Sequence, residues 1–172
     1  MLATPRNLFF AAVHEAGHAV TALLCNPRQE LRLDLIVIDD TYEAWCEAKE
    51  GSPVHLMGGM AAELAFGNGW LDAFAGAEGD ISLLEKEFPT HSWQKALNQA
   101  LAQVERLRAS TAAIAVLLLA YGVLDGDDCW DCILDPVGAL SDHAGRLDAV
   151  GTLIDESGAA APLTLDDLPE AI

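Results

Sequence analysis

The chain has 172 residues, 52% of them hydrophobic, with a mean hydropathy of +0.23, which suffices for one domain with a proper core and excludes disorder throughout. Nine basic against 27 acidic residues give a net charge of −18, a balance that repels phosphates and argues against direct nucleic-acid binding or an anionic membrane surface. Aromatics make up only 6%, so the core has to be built from Ala, Leu, Val and Ile, which favours closely packed helices.

In chain order, Thr4-Pro5 places a capping side chain before a proline suited to the first helical position. A helix is expected over residues 5–24, ending near Asn26-Pro27. Residues 31–39 alternate apolar and polar at first and are rich in branched side chains, as an edge strand would be. Residues 40–51 are polar and ambiguous. Ser52-Pro53 opens a second helix over 53–66, stopped by Gly67-Asn68-Gly69. Inside it, Gly58-Gly59 costs about 2 kcal/mol against two alanines, and a close helix crossing against the first helix is the usual compensation.

Residues 70–79 read as a loop of small residues. Helices are expected over 80–88, 92–108 and 110–124, then a turn at Gly126-Asp127-Asp128 and a short helix near 136–150. The apolar run 112–124 is shorter than the roughly 20 residues of a bilayer span and reads as a core helix. The expected domain covers residues 1–154, followed by an acidic, mobile tail over 155–172. The start of the chain lacks the pattern of a signal peptide. A cytoplasmic location and reduced cysteines are therefore expected. Cys129-Trp130-Asp131-Cys132 has the C-x-x-C spacing of a redox pair or half a zinc site, with no second such pair in the chain.

The chemistry-bearing stretch is His14-Glu15-Ala16-Gly17-His18. Residues four apart share a helix face, so two imidazoles can aim at one point. That is the spacing of two ligands to a tetrahedral zinc ion, with Glu15 set to hold a water as general base. The surrounding run is otherwise apolar or small, and burying such groups is costly unless they are paired or coordinated. Catalytic zinc needs a third protein ligand. Spacing alone leaves Asp72, Glu63, Asp80, His55 and His91 open. His55 and His91 are also candidates to stabilise an oxyanion beside the metal.

Three blocks in order, His14-Glu15-Ala16-Gly17-His18-Ala19, Gly58-Gly59-Met60-Ala61-Ala62-Glu63 and Gly76-Ala77-Glu78-Gly79-Asp80, resemble the protease domain of FtsH-type AAA+ zinc metalloproteases over roughly the first half of the chain. The resemblance implies a mainly α, zincin-like bundle with one or two short strands. It implies Zn2+ held by His14, His18 and Asp80, Glu15 as the base, and Glu63 orienting a ligand imidazole through its free N–H. Helix capping by Asp80 is the structural alternative.

The chain departs from that family in several places. Met60 stands where the family has arginine, the family's glycine-rich stretch between the first two blocks has no counterpart, and the ATPase module and membrane helices are missing. The expected activity is therefore ATP-independent hydrolysis of peptide or unfolded-protein substrates, with an ATPase or other partner in trans compatible with the sequence. An extended substrate is expected to pair with the strand at 31–39. The alternative is a catalytically silent acidic module that binds a partner protein, or mimics DNA, on the same fold.

Overall fold

The structure is a computed structural model that describes residues 2–143. The chain is mainly helical with a small antiparallel sheet. In order, the elements are α1 (Pro5–Cys25), β1 (Leu31–Ile38), β2 (Thr41–Ala48), α2 (Pro53–Leu56), α3 (Gly58–Ala65) and α4 (Trp70–Gly76). They continue with α5 (Glu78–Glu87), α6 (Trp93–Arg106), α7 (Arg108–Tyr121), β3 (Val123–Asp125), α8 (Gly126–Leu134) and α9 (Pro136–Ser141). The expected tail at 155–172, and the expected helix beyond Ser141, lie largely or wholly outside the described residues.

α1 is the central element. The Thr4 hydroxyl caps it by accepting from the Asn7 amide, and Pro5 opens it. Phe9, Val13, Val20 and Leu23 are fully buried along it. It packs against α3 on one side and α7 on another, with β2, α6 and α8 completing the enclosure. Among the described residues it is the one helix long and apolar enough to cross a membrane, and 78% of its most apolar window is buried inside the fold.

The Gly58-Gly59 pair is compensated in the way the sequence suggests. A Cβ on Gly17 would run into the Gly58 carbonyl, one on Gly58 into Thr21 and the Gly17 carbonyl, and one on Gly59 into the His14 ring. Glycine on both helices lets α1 and α3 cross nearly backbone to backbone. That crossing sets the His14 side chain directly over α3.

Several expectations are corrected. The single helix over 53–66 is two helices broken at Met57. Residues 70–79 are not a loop, because α4 fills 70–76 from a Gly69 N-cap and α5 already begins at Glu78. α7 stops at Tyr121, where Gly122 takes a left-handed φ of 77°. Its expected last turn becomes β3, and the expected turn after it becomes α8, opened by an Asp125–Asp128 capping box.

The ambiguous stretch 40–51 holds β2, joined to β1 by a two-residue turn at Asp39-Asp40, with Ile38 opposite Thr41 and Asp39 at φ 53°. The strand order is β2-β1-β3. β1 is therefore the central strand, paired with β2 along its whole length and with β3 over residues 32–34. Thr41 makes an isolated bridge to Leu2, and from Glu43 onward the outer edge of β2 pairs with no other strand among the described residues.

Candidate metal centre

His14 and His18 stand one turn apart on α1, their rings 4.8 Å apart. α5 brings Asp80 to them from 66 residues away in sequence. Asp80 Oδ2 lies 3.2 Å from His14 Nε2 and 3.4 Å from His18 Nε2. Neighbouring donors about 3.3 Å apart are what bonds of about 2.0–2.2 Å in a tetrahedron produce. One donor atom from each of the three residues falls within 4.8 Å of the other two, and this is the only such cluster of His, Cys, Asp or Glu among the described residues.

The other ring nitrogens are engaged from behind. His14 Nδ1 donates to Glu63 Oε1 at 2.6 Å, and His18 Nδ1 donates to the His55 carbonyl at 2.8 Å. Protons held at both Nδ1 atoms leave both Nε2 atoms able to turn lone pairs toward one point. Glu63 is itself buried and held by the Asn68 amide, whose carbonyl oxygen accepts from Arg6 at 3.0 Å. Asp80 does not cap α5. It sits in the first turn, after an Ala77 N-cap with no side-chain bond, where the helix dipole favours a carboxylate.

The electrostatics follow from this packing. Burial works against charge on His14, but Asp80 and Glu63, with Glu15 nearby, overcome it and raise its pKa to about 10. His18 is raised as well, burial again being outweighed by Asp80. For Asp80, burial acts upward but the two imidazoles hold it far below the usual carboxylate range. The two imidazoles therefore carry protons between them and Asp80, and any cation held there would have to displace those protons.

These shifts carry a stability consequence for the metal-free protein. An imidazole titrates near 6.5 in the unfolded chain, and His14 titrates near 10 in the folded one. The stabilisation from protonated His14 is therefore complete below pH 6.5 and lost as the pH rises toward 10. Urea unfolding of the metal-free protein is expected to show a midpoint that falls across this window, with a shallower fall in His14→Gln. An equally steep fall in the variant would refute the assignment.

Glu15 is only 7% exposed. Burial raises its pKa, against the opposing pull of His18 and His14, which moves a carboxylate toward the range useful to a general base. It lines two adjoining cavities of about 670 and 750 Å3, which share His14, Glu15, Ala44, Trp45 and Gly76. Residues from both faces of β2 line them, so the wall is the strand's open edge. α4 and α5 form the opposite side through Gly76, Gly79, Asp80 and Leu83. Together the two halves make a cleft that runs past the histidines in both directions.

The remaining candidates separate clearly. Asp72 lines the larger cavity but stands outside the donor cluster. His91 is exposed and meets the Phe88 ring edge to face, 5.9 Å between centroids. His55 lines the smaller cavity beside His18, without joining the cluster. Burial and the neighbouring His18 lower its pKa to about 4. Cys129 and Cys132 are buried on α8, and burial pushes the Cys132 thiol up to about 12 and Cys129 higher still, so neither is a ready nucleophile.

Sequence reasoning missed the cleft wall on β2, the Arg6–Asn68 support of Glu63, and the His55 carbonyl that fixes His18. After Tyr42 the inward residues of β2 are small, which leaves its alternation a weak signal, and the other two depend on long-range packing. The chain matches no family model, and no curated protein matches it in sequence.

Proposed function

We propose that this protein is a zinc-dependent peptidase acting on extended polypeptide. The observation that carries the reading is the convergence of His14 Nε2, His18 Nε2 and Asp80 Oδ2, each approach near 3.3 Å to the carboxylate, with buried Glu15 in the same cavity. The order of the three sequence blocks, which resembles FtsH-type proteases, supports it. His14, His18 and Asp80 would hold the ion, and the set of two imidazoles and one carboxylate with room left beside them suits catalytic zinc. Bound zinc supplies a Lewis acid that acidifies water and polarises a carbonyl.

The chain's own groups do the rest. Glu15 accepts a proton from the attacking water and returns it to the amine nitrogen as the C–N bond breaks. Glu63 and the His55 carbonyl hold the two imidazoles in one tautomer and orientation. The open edge of β2 offers main-chain donors and acceptors to an extended peptide, with Trp45 alongside, and it lines the cavity that holds His14 and Glu15, which favours it over β1 as the strand that pairs with substrate.

The test is hydrolysis of an unstructured polypeptide by the zinc-loaded protein. Cleavage is expected to stop on chelation and to return when zinc is restored. Absence of cleavage by fully zinc-loaded protein, across unstructured substrates and neutral pH, would overturn the reading.

A further inference from the structure

His55 sits on the short helix α2, 6% exposed. Its main chain is fixed at both ends. The amide donates to the Ser52 hydroxyl at 3.1 Å, and the carbonyl accepts from His18 Nδ1. The ring meets the His18 ring edge to face, 5.4 Å between centroids and 81° between planes. His55 is thus tied to a candidate metal ligand through main chain and side chain alike, yet it stands outside the donor cluster.

Its two ring nitrogens have different surroundings. Nδ1 is sealed from solvent and has no hydrogen-bond partner among the described residues. Nε2 makes no bond to the described residues, and the ring lines the cavity that also holds His14, Glu15, His18 and Asp80. A buried N–H without an acceptor is rarer and costlier than an unmet lone pair. The proton therefore belongs on Nε2, where it faces the cavity. The result is a rigid donor, next to the candidate metal position, for which the described residues supply no acceptor.

We infer that His55 donates a hydrogen bond from Nε2 to the carbonyl oxygen of the scissile peptide bond as negative charge gathers there. The inference rests on the peptidase reading. A fixed donor in a partly dehydrated site gains strength as the oxygen acquires charge, so it favours the transition state over the bound substrate. No proton changes hands at His55. Water adds to the carbonyl carbon, the C–N bond breaks, and the proton travels through Glu15 to the amine.

The experiment compares zinc-loaded wild type with His55→Phe, which keeps an aromatic ring in the space, and His55→Gln, which keeps an N–H donor. Zinc affinity, KM, kcat and the affinity of a phosphinic peptide, whose charged oxygens imitate the hydrated carbonyl, are measured for each. His55→Phe is expected to lower kcat about 100-fold, leave zinc affinity and KM within a few-fold, and weaken the phosphinic peptide in proportion to kcat/KM. His55→Gln is expected to recover part of both losses. Unchanged kcat and phosphinic-peptide affinity in both variants would overturn the inference while leaving the peptidase reading intact. So would loss of zinc in step with activity, which would mark a purely structural role. Zinc-loaded wild type that cleaves nothing would remove the peptidase reading and this inference with it.

Discussion

Glu15→Gln is expected to lower kcat by about 1,000-fold, within the range lost when a positioned acid–base group is removed, while zinc affinity changes only a few-fold. The carboxylate is not part of the donor cluster, so the site should still load. The amide is nearly isosteric and fills the same buried space between the two cavities, so the fold should persist. What it cannot do is accept the proton from water. KM should move little, because the open edge of β2 and the cleft walls are untouched. Steady-state kinetics on an unstructured substrate, with zinc content measured on the same sample, checks this. Cleavage at wild-type rate with Gln at position 15 would remove the residue from the mechanism.

Asp80→Ala is expected to weaken zinc binding by about 100- to 1,000-fold. Structural zinc sites with four ligands bind with about 10–16 kcal/mol, or roughly 2.5–4 kcal/mol a ligand, and each 1.4 kcal/mol is a factor of ten. Asp80 is also the carboxylate facing both Nε2 atoms, so its removal leaves two imidazoles with no anion in front of them. Glu63 stays behind His14, and Glu63→Gln should cost less, about 10- to 100-fold, because it touches the ligand and not the ion. Competition against a chelator of known affinity measures both. Equal affinity in wild type and Asp80→Ala would place the third ligand elsewhere.

The sequence made the centre of this fold readable because the strongest signals there are local. Thr4, Pro5 and the apolar run to Leu24 specify α1 through caps and composition, and the i, i+4 histidines then need no tertiary information to share a face. Gly58 and Gly59 signalled a close crossing because glycine inside a helix costs stability unless something approaches its backbone, and in the fold Gly17 is what Gly58 meets. β2 was unreadable for the opposite reason. Glu43, Trp45 and Glu47 face outward while small Ala44, Cys46 and Ala48 face the core, so the alternation lacks the large apolar residues that mark a half-buried strand.

With β2 unseen, β1 reads as an edge strand from the sequence alone, whereas the fold places it in the middle of the sheet. α4 was lost similarly, since only Ala73 of Trp70–Gly76 is buried and no apolar stripe announces a helix. The His55 carbonyl behind His18 is a main-chain contact, to which side-chain identity offers no clue. The three histidine-bearing and glycine-bearing blocks pointed to a shared site; the distances among their donor atoms came only with the fold.

X-ray absorption at the zinc edge, on protein loaded with one equivalent of zinc and freed of excess metal, is the most direct measurement. A shell of two imidazole nitrogens at about 2.0–2.1 Å and oxygen at about 2.0–2.2 Å, with no sulfur, is the expected result. Sulfur at about 2.3 Å, a shell without imidazole, or zinc that washes away entirely would contradict the three-residue centre at His14, His18 and Asp80.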